Sequence, residues 1–328
     1  MSRISNVFLL IGLGIVCSCD AEGPVPNGDI SESVKTIQWE VFYQVEPDLV
    51  ISNFAIAEEA DWLFFTDNLR NINRVNISTG KQDVLFSEPT GPSYVHFKNG
   101  KLYMFYEKDF TSYCSISSDF GESFQHHPVG VYTNYAAGWY EGAFMNLIVN
   151  RLFEMPNGDL VLPHIMSDRN NAEYLMDNRL IAVSTDGGAT WSQRESENSY
   201  ISTLQNERLF AIDESWDGVS VSVHYFSDDL GQTWQATENP YVPQATDWEN
   251  HLIAGGGNEL QKFKEGTWQR YSWEENGEPL VSITSLSYGG VRGDDPNGRK
   301  MEDFEFDSNN SLYVIGRDRK SICRTTLN

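Results

Sequence analysis

The segment Ser184-Thr185-Asp186-Gly187-Gly188-Ala189-Thr190-Trp191 recurs twice more in altered form, from Ser117 to Phe124 and from Ser227 to Trp234. The shared frame is Ser-x-Asp-x-Gly-x-(Ser/Thr)-(Trp/Phe). Its fixed positions are Ser117, Asp119, Gly121 and Phe124 in the first copy. They are Ser184, Asp186, Gly188 and Trp191 in the second, and Ser227, Asp229, Gly231 and Trp234 in the third. Each copy follows a short apolar run, as a hairpin turn would. In such a turn the Asp and Ser/Thr side chains bond local backbone amides, the Gly supplies a positive φ, and the aromatic packs as the next strand begins. The copies read as staples of the fold and not as reacting groups.

A second periodicity runs beneath the first. Six times a polar turn leads into a short apolar strand, at Asp61–Phe65, Lys101–Phe105, Asp159–Leu162, Arg208–Ile212, His251–Ala254 and Ser311–Ile315. A spacing of about 40 to 60 residues is that of small antiparallel sheets, none able to bury both faces alone, stacked into a β-propeller. The expected fold is therefore all-β: a six-bladed propeller of four-stranded antiparallel blades, with a seven-bladed ring as the alternative. Third strands fall at Asn73–Ile77, Tyr113–Ser117, Leu180–Ser184, Val221–Phe226, Glu259–Phe263 and Ser321–Thr325, and the boxed turns close blades two, three and four. Blade five keeps a worn remnant, Lys264-Glu265-Gly266-Thr267-Trp268. Blade six lacks a fourth strand, whereas Thr36–Phe42 is a strand without a blade; pairing the two closes the ring and removes an open edge.

Ahead of this domain, Arg3 and an apolar run from Val7 to Val16 have the form of a signal peptide, too short to span a bilayer. Val16-Cys17-Ser18-Cys19 resembles the bacterial lipobox, in which the last cysteine is lipidated and becomes the new amino terminus. The expected organisation is a signal peptide over 1–18, a tether over 19–35 behind lipidated Cys19, and the propeller over 36–328. Such a protein resides in the bacterial cell envelope, periplasmic or surface-exposed, held to the membrane through lipid alone and expected as a monomer. Acidic side chains number 47 against 23 basic, a net charge of −24, which excludes a phosphate-binding footprint and hence nucleic acid. Cys114 and Cys323 lie in strand-like runs as small buried hydrophobes. No cofactor is expected. No metal site is expected either, because the six histidines show no ligand spacing and Asp294, Asp295 and Asn297 lack the pattern of a calcium loop.

The box and the blade count together resemble the Asp-box (BNR) repeat propellers of the bacterial sialidase superfamily, which also contains non-enzymatic members. The resemblance implies that the boxes lie on the face opposite any catalytic centre. It also implies a way of reading blade three, where Arg151, Asn157-Gly158, the strand Leu160–Leu162, Asp168-Arg169 and the box follow in the order of a sialidase blade. In that reading Arg151 clamps a substrate carboxylate, since guanidinium forks match carboxylates, and Asp168 is the acid/base. The family's Arg-Ile-Pro motif is replaced by Arg151-Leu152-Phe153. Further ligand candidates on the long segments of the face away from the boxes are Tyr140, Glu141, Arg169, Tyr288, Arg292 and Arg299. Arg208 falls on the box face and drops out. Two functions stay open: a binding module for a glycan, peptide or protein on its long-loop face, and an exo-acting glycoside hydrolase of the sialidase type.

Overall fold

The structure is a computed structural model. It describes residues 29–87, 94–108, 111–131, 145–149, 152–168, 179–195, 201–205, 207–214, 222–237, 245–246, 252–256, 259–273, 281, 304–316 and 318–327. Two strands, β1 (Asp29–Thr36) and β2 (Glu40–Gln44), precede the first blade and belong to the last two. Blade one is β3 (Ile51–Ala57), β4 (Trp62–Asp67), β5 (Asn71–Asn76) and β6 (Gln82–Ser87). Blade two follows with β7 (Tyr94–Lys98), β8 (Lys101–Lys108), β9 (Thr111–Ser117) and β10 (Gln125–Val131). In blade three, β11 (Met145–Val149) and β12 (Phe153–Glu154) both pair with β13 (Leu160–Asp168), which continues to β14 (Arg179–Ser184) and β15 (Ser192–Glu195). Blade four comprises β16 (Ile201–Gln205), β17 (Arg208–Glu214), β18 (Ser222–Ser227) and β19 (Gln235–Thr237). Blade five has β20 (Ala245–Thr246), β21 (Leu252–Gly256), β22 (Glu259–Lys264) and β23 (Thr267–Ser272). Blade six has β24 (Phe304–Phe306), β25 (Ser311–Ile315) and β26 (Ser321–Thr326).

The second strand of each blade is sandwiched between neighbouring blades, so it is apolar on both faces rather than alternating. Leu63, Phe64 and Phe65 of β4 are all fully buried, as are Leu160, Val161 and Leu162 of β13. The cores accordingly lie between blades: Phe64 and Ile72 of blade one pack with Val95, Leu102 and Met104 of blade two. First strands face the ring's centre and satisfy one another through side chains. Asn53 of β3 accepts from the Val95 amide of β7 at 2.6 Å, and Glu305 of β24 accepts from the Ile56 amide of β3 at 2.8 Å.

The ring closes as the orphan strand predicts. β2 pairs antiparallel with β26 and completes blade six, with Glu40 opposite Arg324 and Gln44 opposite Ser321. The segment expected as a tether over 19–35 contains a strand, however. Residues 29–36 form β1, a fifth strand laid parallel on the outer edge of blade five, pairing Asp29 with Thr267 and Thr36 with Ser272. Its Ser-rich sequence carries no apolar period because β1 buries little: residues 32–36 are exposed. Backbone pairing to β23, and not burial, holds it.

Blade five also departs from the remnant reading. Lys264 pairs with Thr267, so Glu265-Gly266 is a complete two-residue turn. Both residues have positive φ, 54° and 81°, as a type I′ hairpin requires.

Candidate functional site

Every blade has two ends, and hydrogen bonding separates them. At one end, between third and fourth strands, sit the boxes. In blade three the Ser184 hydroxyl accepts from the Gly188 amide at 2.8 Å and donates to Asp186 Oδ1 at 2.8 Å. Asp186 Oδ1 then accepts from the Thr190 amide at 2.8 Å, and Oδ2 accepts from the Thr190 hydroxyl at 2.6 Å. Blades two and four repeat this arrangement with Ser117, Asp119 and Ser123, and with Ser227, Asp229 and Thr233. These bonds favour the charged carboxylate. The Ser123 hydroxyl, then Ser117, holds Asp119 at about 2, and the Thr190 hydroxyl and amide do the same for Asp186. At Asp229 burial works the other way, yet the bonds from Thr233 prevail and the pKa is lowered.

The boxes also join blades. A Cβ on Gly121 would stand 2.7 Å from Leu85 of blade one, on Gly188 2.8 Å from Ile116 of blade two, and on Gly231 2.9 Å from Ile181 of blade three. Each box glycine therefore packs on the preceding blade. Trp191 makes an edge-on contact with Phe105 of blade two, centroids 6.0 Å apart, while its indole N–H donates to the Gly188 carbonyl. The residue before each box glycine is left-handed as well, Phe120 at 55° and Leu230 at 58°. In blade three that position is Gly187, which explains the paired glycines: there the strained backbone is occupied by the residue that tolerates it.

Other polar groups at this end are equally committed. Arg74 donates to the Phe120 carbonyl and to Glu122, and lies over the Trp62 ring at 4.5 Å, tying blade one to the first box. Arg208 forms a two-pronged pair with Asp228, at 2.6 and 2.9 Å, which accounts for this box-face arginine. At the ring closure, Asp307 accepts from the Asn309 and Ser311 amides and the Tyr313 hydroxyl. Sharing a hydrogen bond with Asp307 raises the Glu58 pKa, and burial adds to this. Burial pushes Asp307 up, but the bonds from Glu58, Ser311 and Tyr313 outweigh it. Two carboxyl groups, a tyrosine and Arg324 meet here, but Tyr313 is fully buried and Arg324 is engaged by Glu40 of the closing strand. The cluster holds the seam.

The opposite end is where the longer connections leave, across residues 132–144, 169–178, 215–221 and 273–303. Asp168 ends β13 there: its backbone pairs with Met145, while Leu160 at the other end of the strand pairs with Ser184 of the box. Its backbone thus stands at the end away from the box; its side chain lies outside the described residues. Arg151, Arg169, Tyr140, Glu141, Tyr288, Arg292, Arg299 and Cys19 lie wholly outside them. The described turns at this end are self-contained. Asp67 accepts from the Leu69 and Asn71 amides and from both Asn71 and Asn73 side chains, and Asp318 accepts from the Lys320 and Ser321 amides. Cys114 and Cys323 are free and buried, and burial pushes both thiols up.

The BNR/Asp-box repeat profile matches residues 182–193 and 225–236. The turn at Ser117–Phe124 makes the same hydrogen bonds without being matched. No curated protein matches the chain. Among solved structures, a protein of unknown function from Dyadobacter fermentans is similar at 13% identity and a TM-score of 0.53, over 90% of this chain and 99% of that one. YCF48 from Cyanidioschyzon merolae is similar at 12% identity and a TM-score of 0.46, over 85% of this chain and 80% of that one. An oligogalacturonate lyase in complex with manganese reaches 14% and 0.45, over 83% and 76%. At these identities the Dyadobacter likeness is one of fold alone. The chain is a six-bladed β-propeller carrying BNR/Asp-box repeats.

Proposed function

We propose that this protein is a lipid-anchored propeller of the bacterial cell envelope that binds a glycan, peptide or protein partner on its long-loop face. One observation carries the reading: the box end of the blades is spent on internal bonds and on contacts between blades. The candidates to meet a ligand are therefore the polar and aromatic groups that the sequence puts on the long connections of the other end. Aromatics such as Tyr140 and Tyr288 stack on sugars and peptides, and Arg292 and Arg299 take up carboxylates. The test is a glycan and peptide array probed with the mature protein. Tyr140→Ala and Arg292→Ala should weaken the captured signal at unchanged thermal stability, while box variants should lower stability and leave binding by the folded fraction intact. Binding lost through a box variant as stable as wild type would put the ligand on the other face.

A sialidase-type hydrolase is the second reading, favoured by the order Arg151, Asn157-Gly158, Asp168, box and by the end of β13 at which Asp168 stands. If it holds, Arg151→Lys strongly impairs hydrolysis of carboxylate-bearing glycosides, because a point charge lacks the two-donor fork. Asp168→Asn lowers turnover with little loss of stability, because it removes the proton donor and keeps the shape. No release of sialic acid from a panel of sialosides between about pH 4 and 8 leaves the binding module standing. Turnover that survives both substitutions rejects these two residues as the catalytic pair.

A further inference from the structure

β1 is the one strand among the described elements that pairs in parallel, and its direction carries information. Asp29 stands opposite Thr267, the residue that follows the Glu265-Gly266 turn on the box side of blade five. Thr36 stands opposite Ser272, where blade five turns toward the long connection of the other face. β1 therefore enters at the box side and leaves toward the long-loop side. Pairing holds it in place: the Ile37 amide donates to the Ser272 carbonyl at 2.8 Å, and the Gln269 side chain donates to the Ser33 carbonyl at 3.2 Å.

We infer that β1 orients the anchored protein: it brings the anchor in at the box face, so that the boxes face the membrane and the long-loop face points away from it. This rests on the lipoprotein reading of Cys19. Residues 20–28 separate Cys19 from Asp29. A chain of ten links reaches about 35 Å at most. To bring the long-loop face to the bilayer, that chain must first run back along the edge of blade five. The six residues of β23 cover about 20 Å of that path, more than half of the reach.

The test uses the full-length lipoprotein, matured in cells and reconstituted into vesicles that carry an energy-transfer acceptor on the lipid headgroups. Donor dyes are placed through Ala189→Cys on an exposed box turn or Leu69→Cys on an exposed long-loop turn; Cys114 and Cys323 are buried and do not compete. Transfer should be several-fold stronger from position 189 than from position 69. Ser31→Pro with Lys35→Pro, which removes two amides that the parallel register turns toward β23, should bring the two signals together while lipid labelling persists. Equal or reversed transfer in the lipidated parent overturns the orientation. A difference that survives the proline variant overturns the role of β1. Loss of palmitate labelling through Cys19 in the parent is a separate result: it removes the lipoprotein reading, and the orientation with it.

Discussion

Blades three and five solve one problem in two ways. Both must turn from the third strand to the fourth while packing on the blade before. Blade three uses a full box, whose serine and aspartate organise the turn, whose Gly188 meets Ile116 of blade two, and whose Trp191 meets Phe105. Blade five reduces the turn to Glu265-Gly266 and keeps only the aromatic: Trp268 is fully buried in a cluster with Phe210 of blade four. A Cβ on Gly266 would meet nothing within 4 Å. The hydrogen-bonded turn and the contact between blades are thus separable, and the box combines them.

The largest effect should come from filling the close approach. Gly188→Ala forces a side chain into a φ of 98° and against Ile116, and should destabilise the fold by about 3 kcal/mol. Gly266→Ala, left-handed but in open space, should cost about 1 kcal/mol. Urea unfolding of both variants measures the difference; equal losses would mean that the backbone conformation alone matters and the contact with blade two does not.

Ser184→Ala should rank next. Ser184 is buried, and its removal leaves the buried Gly188 amide without an acceptor, a loss of about 1–3 kcal/mol. Thr185→Ala, at an exposed position inside the box, should change stability by less than about 0.5 kcal/mol. Matched losses at 184 and 185 would show that the box serine is not the organiser of the turn.

The smallest effect is the acid response. Asp119 and Asp186 titrate lower in the folded protein, at about 2, than in the unfolded chain, so their contribution is complete above about pH 4 and is lost as pH falls toward 2. Thermal melts should therefore lose stability over that window, and Asp186→Asn should flatten the dependence while lowering the melt at pH 7. A pH profile unchanged by Asp186→Asn would assign the acid response to other carboxylates. Blade five has no box aspartate; its lowered carboxylate is Glu259, held down by the hydrogen bonds from Arg270.

The two blades were not equally legible. The boxes announce their turns in eight residues, and the second and third strands of all six blades fall where the apolar runs and polar turns put them, from Trp62–Asp67 to Ser321–Thr326. The Glu265-Gly266 turn looks like a damaged box because the two types of turn share a glycine and a following tryptophan. β1 was invisible because strand recognition relies on burial, and a strand exposed along most of its length leaves no apolar alternation. At the candidate site, Asp168 could be assigned to a face from topology. Arg151, Tyr140 and Arg292 sit on connections for which periodicity specifies neither conformation nor neighbours.

Local chemistry was enough to fix the second and third strands of the blades, the boxed turns and the pairing that closes the ring, because each depends on residues within one hairpin or on an unpaired strand that needs a partner. Tertiary structure alone decided which neighbour each box glycine touches, why blade three spends two glycines on its turn, that Glu58, Asp307 and Arg324 meet at the seam, and where β1 lies. These depend on the approach of segments far apart in the chain. Such contacts are set by the way six blades fill a ring, a packing condition that leaves no period in the sequence.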